Sequence, residues 1–148
     1  MRVILVEDNW REAEAVEKDL AAALRCNTST IRTELEFVDR LEEIEKNPPD
    51  LFVLDVSLRW TTPGPDFRPE PDEVRAGGRG RAGFRCAQRL QQRLATRGLP
   101  IVLYSHFSRF QFEDELKDLP RSVIYVKKTS DPEALVQAIR GLLDTGGD

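Results

Sequence analysis

With 148 residues, of which 40% are hydrophobic and 32% charged, the chain is predicted to fold as one globular domain, residues 1–148, with a sizeable core. Its net charge of −4 leaves no basic excess to neutralise phosphates, which argues against DNA as a partner. No apolar stretch reaches the length of a signal-peptide core or a membrane span, so we expect no membrane association and a cytoplasmic location.

The chain begins with a predicted strand and a predicted helix. Residues 2–6 form a short, continuous apolar run, which is typical of a strand covered on both faces. Apolar residues then recur at helical spacing and predict an amphipathic helix over about 9–25. Asn9 is expected to cap this helix, with Glu12 three residues later as in a capping box.

Three more elements are predicted before the middle of the chain. Apolar and polar residues alternate over 31–37, a period-two pattern that suits a half-exposed edge strand. Leu41 and Ile44 mark a short helix that ends at a pair of prolines. The apolar run Leu51–Leu54 is predicted to be the third strand.

Residues 59–82 interrupt this alternation. The segment contains four of the nine prolines and four of the nine glycines, and it has no helical or strand periodicity. A loop of this length inside a compact domain is uncommon and is usually functional or disordered. Because it follows the third strand directly, we expect it to lie beside the end of that strand.

The second half of the chain alternates in the same way. Two more strands and three more helices are predicted, which together with the first half indicate an open parallel α/β sheet. They are, in order, a helix with Phe84, Ala87, Leu90 and Leu94 that stops near Gly98 and Pro100, the strand Ile101–Tyr104, a weaker helix at about 106–118, the strand Val123–Val126, and a last helix with Leu135, Ile139 and Leu142 that ends before Gly146-Gly147.

The number of cysteines and histidines argues against a disulfide framework and against a histidine-rich zinc site. Cys26 and Cys86 lie on predicted helices, and we expect them to be reduced, partly buried thiols of a cytosolic protein rather than a disulfide. His106 is the only histidine, which excludes a histidine-rich zinc site.

Carboxylates follow two of the predicted strands. Glu7 and Asp8 follow the first strand and Asp55 follows the third, and ligands of open α/β sheets collect at the carboxyl ends of strands. Two carboxylates ~4 Å apart repel by about 1 kcal/mol in water and about 4 kcal/mol at an effective dielectric of about 20. Such a cluster must raise a pKa or bind a cation, and hard oxygen ligands suit Mg²⁺. The acidic first turn lacks glycine, which disfavours a flavodoxin-like enzyme that binds a nucleotide or flavin phosphate.

Four short motifs lie at strand ends, namely Val6-Glu7-Asp8-Asn9, Leu54-Asp55-Val56-Ser57-Leu58, Tyr104-Ser105 and Tyr125-Val126-Lys127-Lys128. In order and spacing, these motifs resemble the receiver domain of bacterial two-component response regulators. The resemblance covers nearly the whole chain apart from 59–82. It implies a flavodoxin-like (βα)5 doubly wound parallel sheet with strand order 2-1-3-4-5.

The resemblance implies a role for each acid. Asp55 matches the phosphoacceptor, which takes a phosphoryl group from the phosphohistidine of a sensor kinase. Glu7 and Asp8 match the acidic pair that holds Mg²⁺, with Asp8 as the more direct ligand. The resemblance implies two further Mg²⁺ ligands, the Asp55 carboxylate and the backbone carbonyl of Ser57.

The resemblance also implies three switch and charge-neutralising residues. Ser105 matches the hydroxyl residue that bonds the phosphoryl group when the domain switches, and Tyr125 matches the aromatic that changes rotamer with it. Lys128 matches the lysine that pairs with the phosphoryl oxygens, and Lys127 is an alternative one position earlier.

Taken singly, these residues have ordinary structural explanations as well. Glu7 and Asp8 also suit the N-terminus of the first helix through its dipole. Asp55 also suits a solvated strand end, Ser105 a turn hydroxyl and Tyr125 a core aromatic. The functional interpretation rests on their occurrence together.

The sequence departs from the receiver pattern at three places. His106 follows Ser105 where receivers usually carry Ala or Gly, and a large imidazole there could narrow access to the phosphoacceptor. Thr129 follows Lys128 where proline is common. The segment 59–82 replaces a short loop and could cover the site or dock a partner.

No output module follows the last predicted helix. The resemblance therefore implies a stand-alone regulator, not an enzyme, that docks on a downstream protein or passes its phosphoryl group onward. The expected partners are a sensor histidine kinase or phosphotransfer protein and a downstream protein target, and a homodimer is also compatible. Phe107, Phe110 and Phe112 are predicted surface aromatics for docking. The alternative is a phosphorylation-independent adaptor that binds through 59–82.

Overall fold

Five parallel strands form one sheet in the computed structural model, which describes residues 1–65 and 67–145. The strand order is 2-1-3-4-5, and helices cover both faces of the sheet. The predicted flavodoxin-like doubly wound fold is therefore confirmed. The strands are β1 (Arg2–Val6), β2 (Asn27–Ile31), β3 (Leu51–Leu54), β4 (Ile101–Ser105) and β5 (Val123–Lys127).

Helices connect and cover these strands. Asn9 caps the first helix as predicted, because its side-chain oxygen accepts hydrogen bonds from the N–H groups of Arg11 and Glu12 at 3.0 and 3.2 Å. The α-helices of the described ranges are α1 (Trp10–Leu24), α2 (Glu34–Asp39), α3 (Leu41–Lys46), α4 (Asp72–Gly77), α5 (Ala82–Gln91), α6 (Glu113–Lys117) and α7 (Glu133–Thr145).

Two hydrophobic layers hold the sheet between its helices. On one face, α1 and α7 contribute buried residues such as Leu20 and Ile139 to one cluster with the sheet. On the other face, α2, α3 and α5 contribute Phe37, Ile44 and Leu90 to a second cluster. Both faces of the central strands are covered, which explains why β1 and β3 are uninterrupted apolar runs.

Strand pairing brings the carboxyl ends of the strands to one edge. β1 and β3 are in register, with Val6 opposite Leu54. The Asp55 N–H donates to the Val6 carbonyl oxygen at 2.9 Å. The Lys128 N–H donates to the Ser105 carbonyl oxygen at 2.6 Å. The chain is therefore held by backbone hydrogen bonds just beyond β3 and β5, where the candidate site residues lie.

The prediction of an edge strand over 31–37 is wrong. β2 ends at Ile31, and α2 begins at Glu34. Thr33 caps that helix by accepting a hydrogen bond from the Glu36 N–H at 3.1 Å, and the Glu36 carboxylate accepts from the Arg32 N–H at 3.3 Å. These two local hydrogen bonds outweigh the apparent alternation, because they satisfy amide groups that a new helix leaves free.

The segment 59–82, which we expected to lack regular structure, contains α4 and a 3₁₀ turn at Arg79–Arg81. Trp60 and Val74 are buried against Leu35 in a small third core. The Trp60 indole N–H donates to the Arg68 carbonyl oxygen at 2.9 Å. Helix α4 is only six residues long and buries one side chain, so it leaves almost no periodic signal in the sequence.

Two predicted helices differ in extent from the observed ones. Helix α5 ends at Gln91, so Leu94 lies beyond it and is 86% exposed. The helix expected at about 106–118 is divided into a 3₁₀ turn, Arg109–Phe112, and the short α6. Gly146-Gly147, predicted to lie beyond the last helix, falls outside the described residues.

Two further expectations need correction. Cys26 lies between α1 and β2 rather than on a helix, although both cysteines are free and buried. Phe112, predicted to be a surface aromatic, is 3% exposed and belongs to the core, whereas Phe107 and Phe110 are exposed. Among the helices described, none is both long enough and apolar enough to cross a membrane.

Candidate functional site

Three carboxylates meet at the carboxyl edge of the sheet. Glu7, Asp8 and Asp55 each offer an oxygen, and these oxygens lie within 4.8 Å of one another. Glu7 follows β1, and its N–H donates to the Ile31 carbonyl oxygen at 2.9 Å, which anchors this turn to the end of β2. Glu7 and Asp55 are buried, while Asp8 is partly exposed. The structure thus brings together the acids that the strand pattern placed at one edge.

Lys128 supplies the cation of this cluster. Its ammonium nitrogen lies 2.6 Å from Glu7 Oε1 and 3.1 Å from Asp55 Oδ2. The Lys128 side chain is buried, whereas Lys127 is exposed at the end of β5. Of the two adjacent lysines, only Lys128 therefore contacts the acidic residues in the described ranges.

Glu7 and Asp55 share the single ammonium group of Lys128. Burial, together with the hydrogen bond and charge of Asp55, raises the pKa of Glu7 to about 9. Burial lowers the pKa of Lys128, but the charges of Asp55 and Glu7 outweigh burial and raise it overall. The cluster therefore favours a charged lysine and an additional proton on Glu7. A divalent cation can replace that proton, and three carboxylate oxygens match the hard ligands that Mg²⁺ prefers.

Ser105 and Tyr125 converge on one residue, Phe107. The Ser105 hydroxyl is buried and accepts a hydrogen bond from the Phe107 N–H at 3.1 Å. The Tyr125 hydroxyl donates to the Phe107 carbonyl oxygen at 2.6 Å, and the Tyr125 ring packs on Phe112 with 5.9 Å between centroids. The two predicted switch residues thus hold the same peptide segment after β4.

Gly83 positions Asp55 and was missed by the sequence interpretation. A Cβ atom at Gly83 would lie 2.5 Å from the Asp55 carbonyl oxygen and 2.7 Å from Val56 Cα. The Gly83 N–H donates to the Val56 carbonyl oxygen at 2.9 Å. Helix α5 therefore approaches the end of β3 at a distance that only glycine permits. The sequence signal was a glycine in the first turn of a predicted helix.

Glu12 and His106 form a second contact to the cluster that the sequence interpretation also missed. The Glu12 carboxylate lies 3.4 Å from the Lys128 ammonium and accepts a hydrogen bond from the His106 ring. Burial raises the pKa of Glu12, but the His106 hydrogen bond and the charge of Lys128 lower it overall. The His106 imidazole, expected to narrow access to the phosphoacceptor position, thus pairs with a residue of α1.

Asp8 is paired with arginines of the segment 59–82. Its Oδ2 atom accepts a hydrogen bond from the Arg59 N–H at 3.1 Å and lies 3.5 Å from Arg59 Nε. A guanidinium nitrogen of Arg79 lies 3.9 Å from the same oxygen. Both arginine side chains are about half exposed or more, at 47% and 63%. These contacts connect residues far apart in sequence, and the sequence interpretation did not predict them.

The structure thus combines a parallel five-stranded sheet with an acidic cluster at its carboxyl edge. No protein-family model matches the sequence, and no curated protein matches it. The structure is similar to the receiver domain of a signal transduction histidine kinase from Syntrophus aciditrophicus, with a TM-score of 0.68, 19% identity, and coverage of 97% of this chain and 90% of that one.

Two response regulators with bound or covalent groups are also similar. The phosphorylated cyanobacterial phytochrome response regulator RcpA has a TM-score of 0.64 and 21% identity, with 95% of this chain and 89% of that one covered. The Thermotoga maritima response regulator TrrA, in complex with Mg²⁺ and BeF, has a TM-score of 0.66 and 16% identity, with 95% and 97% covered. The chain therefore has the fold of a response regulator receiver domain over nearly its whole length.

Proposed function

We propose that this chain is a single-domain response regulator that accepts a phosphoryl group on Asp55 in a Mg²⁺-dependent reaction. The observation that carries the proposal is the buried contact between Asp55 Oδ2 and the Lys128 ammonium, 3.1 Å, beside Glu7 and Asp8. A carboxylate held next to both a cation and a metal-suited acid pair has the groups that phosphoryl transfer to a carboxylate requires.

Asp55 is the nucleophile in this proposal. One of its carboxylate oxygens attacks the phosphorus atom of a phosphohistidine on the donor protein. The new bond joins that oxygen to phosphorus, and the bond between phosphorus and the imidazole nitrogen breaks with its electron pair going to that nitrogen. The donor histidine, which carries a proton on its other ring nitrogen, leaves as neutral imidazole. The product is an acyl phosphate on Asp55, and no oxidant or further reactant is needed.

The surrounding side chains balance the charge of this step. Lys128 is the cation closest to Asp55, so its ammonium can pair with a phosphoryl oxygen as charge accumulates there. Glu7 and Asp8, with the Ser57 backbone carbonyl, are proposed to hold Mg²⁺, which neutralises phosphoryl charge when it is bound. Burial, and after it the hydrogen bond and charge of Asp55, raise the pKa of Glu7, so a cation bound beside Glu7 would offset the cost of its charged form.

In this proposal, phosphorylation changes the conformation of the segment after β4, which contains Phe107. A phosphoryl group adds about −1.5 to −2 charges, enough to draw the Ser105 hydroxyl toward it. Ser105 and Tyr125 both hold Phe107, so a change at Ser105 alters this segment directly. Phe107 and Phe110 are 45% and 75% exposed, which supports docking of a downstream protein there.

Phosphorylation by a small donor tests the proposal without knowledge of the kinase. Incubation with acetyl phosphate and Mg²⁺ is expected to add the mass of one phosphoryl group, and hydroxylamine should remove it. The adduct should be absent in Asp55→Asn and after chelation of Mg²⁺. Asp50→Asn is the control, since Asp50 lies before β3 and contacts the Arg2 N–H at 2.7 Å. Absence of any adduct in the wild-type protein would favour the phosphorylation-independent adaptor.

A further inference from the structure

Asp8 differs from the other two acids of the cluster in the origin of its counter-charge. Glu7 and Asp55 share the ammonium of Lys128. The cationic side chains near Asp8 in the described residues are Arg59 and Arg79, and both face its Oδ2 atom. The acid proposed as the most direct metal ligand is therefore neutralised by the segment 59–82 rather than by the sheet.

The backbone of this segment is held in place around the two arginines. The Arg59 carbonyl oxygen accepts a hydrogen bond from the Glu34 N–H at 3.0 Å, and the Arg79 carbonyl oxygen accepts from the Leu58 N–H at 3.1 Å. Trp60, next to Arg59, is 7% exposed. The guanidinium groups themselves remain largely exposed. The guanidinium groups can thus move away from Asp8 by side-chain rotation without unfolding of the segment, while the Arg59 N–H keeps its hydrogen bond to Asp8 Oδ2 at 3.1 Å.

We propose that Arg59 and Arg79 form an arginine latch that occupies Asp8 in the metal-free protein and competes with the divalent cation for it. The inference rests on the proposed function, because it concerns the metal site of the phosphoacceptor. Two positive charges within 3.5 and 3.9 Å of a ligand oxygen repel an incoming cation. The latch would set the metal affinity of the site, and hence how much of the protein is ready for phosphorylation.

The expected effect is a tighter metal site when the latch is removed. Arg59→Gln and Arg79→Gln should each tighten Mn²⁺ binding by about two- to fivefold, and the double variant by about tenfold, because exposed charges act through a high effective dielectric. Arg59→Lys keeps the charge and should stay closer to the wild type. High salt should reduce the differences, since it screens exposed charges.

The measurement is a Mn²⁺ titration followed by electron paramagnetic resonance of the free ion, with Mg²⁺ as competitor. Arg75→Gln is the matched control, because Arg75 lies on α4 in the same segment and contacts Asp72 and the Glu70 carbonyl instead of the acidic cluster. Its affinity for Mn²⁺ should equal that of the wild type. Circular dichroism of each variant verifies that it is folded.

The outcomes separate this inference from the proposed function. Equal Mn²⁺ affinity in the wild type, both single variants and the double variant would overturn the latch, whereas phosphorylation of Asp55 would still stand. An equal increase in Mn²⁺ affinity in Arg75→Gln would also overturn the latch, since the increase would then come from the loss of any positive charge in the segment. Absence of Mn²⁺ and Mg²⁺ binding in every variant would overturn the metal site and the latch together.

Discussion

The ammonium of Lys128 lies 3.1 Å from Asp55 Oδ2, although the two residues follow strands β5 and β3, which are separated in the sheet by β4. The contact therefore crosses the end of an intervening strand. It is possible because Lys128 N–H is bound to the Ser105 carbonyl at the end of β4, which aims the lysine back over the sheet edge.

Replacement of Lys128 by Met is expected to lower the free energy of unfolding by about 2–4 kcal/mol near neutral pH, because Glu7 and Asp55 lose their buried counter-ion. Mg²⁺ should recover much of this loss, since it binds only the folded protein and supplies positive charge. Urea denaturation with and without Mg²⁺ measures both effects. Lys127→Met, at an exposed neighbour, should change stability by less than about 0.5 kcal/mol. A Lys128→Met protein as stable as the wild type without metal would contradict the prediction.

The raised pKa of Glu7 makes metal-free stability depend on pH. Its pKa rises from 4.5 to about 9 on folding. The resulting contribution to stability is therefore fully present below pH 4.5 and is lost as the pH rises from 4.5 through about 9, because the unfolded chain releases this proton first. Glu7→Gln resembles the protonated form. Relative to the wild type, we expect this variant to gain stability as the pH rises, by at most about 1.4 kcal/mol per pH unit.

Thermal or urea unfolding of both proteins in chelator, across this pH range, measures the difference. Added Mg²⁺ should reverse its sign, because glutamine lacks the charge that binds the cation. A stability difference that stays constant with pH would show that Glu7 does not hold the proton in the folded protein.

Gly83→Ala should displace the backbone of Asp55, the proposed phosphoacceptor. The new Cβ would lie 2.5 Å from the Asp55 carbonyl oxygen, so α5 or the end of β3 must move. We expect a loss of about 2–3 kcal/mol in the free energy of unfolding and slower phosphorylation by acetyl phosphate. Gly80→Ala is the matched control, because a Cβ there meets nothing within 4 Å. Equal behaviour of the two variants would refute the close-approach argument.

Glu34 is a buried acid outside the cluster of Glu7, Asp8 and Asp55, and its removal should destabilise the fold. Its carboxylate is 0% exposed and accepts hydrogen bonds from Arg85 at 2.7 and 2.8 Å and from Arg89 at 2.7 Å. Glu34→Gln leaves two partly buried guanidinium groups without their counter-charge, so we expect a loss of about 2–4 kcal/mol. Glu43→Gln, at an exposed salt bridge, should cost less than about 1 kcal/mol.

The same variant should loosen the segment 59–82. Arg89 also contacts Glu73 on α4 at 3.3 Å, which links the segment to α5 through the Glu34 network. Hydrogen exchange is therefore expected to speed up in α4 of Glu34→Gln while the central strands stay protected. Unchanged exchange in α4 would show that this network does not hold the segment.

The sequence correctly predicted the elements that have a clear apolar pattern. The prediction was wrong where a helix-capping pattern competed with the apolar pattern in the same residues. Continuous apolar runs identified β1 and β3, and helical spacing identified α1, because burial on known faces imposes those periods. The residues 31–37 satisfied a strand period, yet Thr33 and Glu36 formed a helix cap that the alternation concealed. Helix α4 was not predicted, because its single buried residue, Val74, produces no periodic apolar pattern.

By itself, the sequence determined the strand order, through its resemblance to receiver domains. It also determined the sheet edge on which Glu7, Asp8 and Asp55 meet, and the two candidate lysines, because these follow from where each strand ends. Only the tertiary structure decided that Lys128 turns inward, that arginines of 59–82 face Asp8, and that Gly83 carries the close approach of α5. Those facts depend on the packing of segments far apart in the chain, and pairwise distances of that kind leave no periodic mark on one sequence.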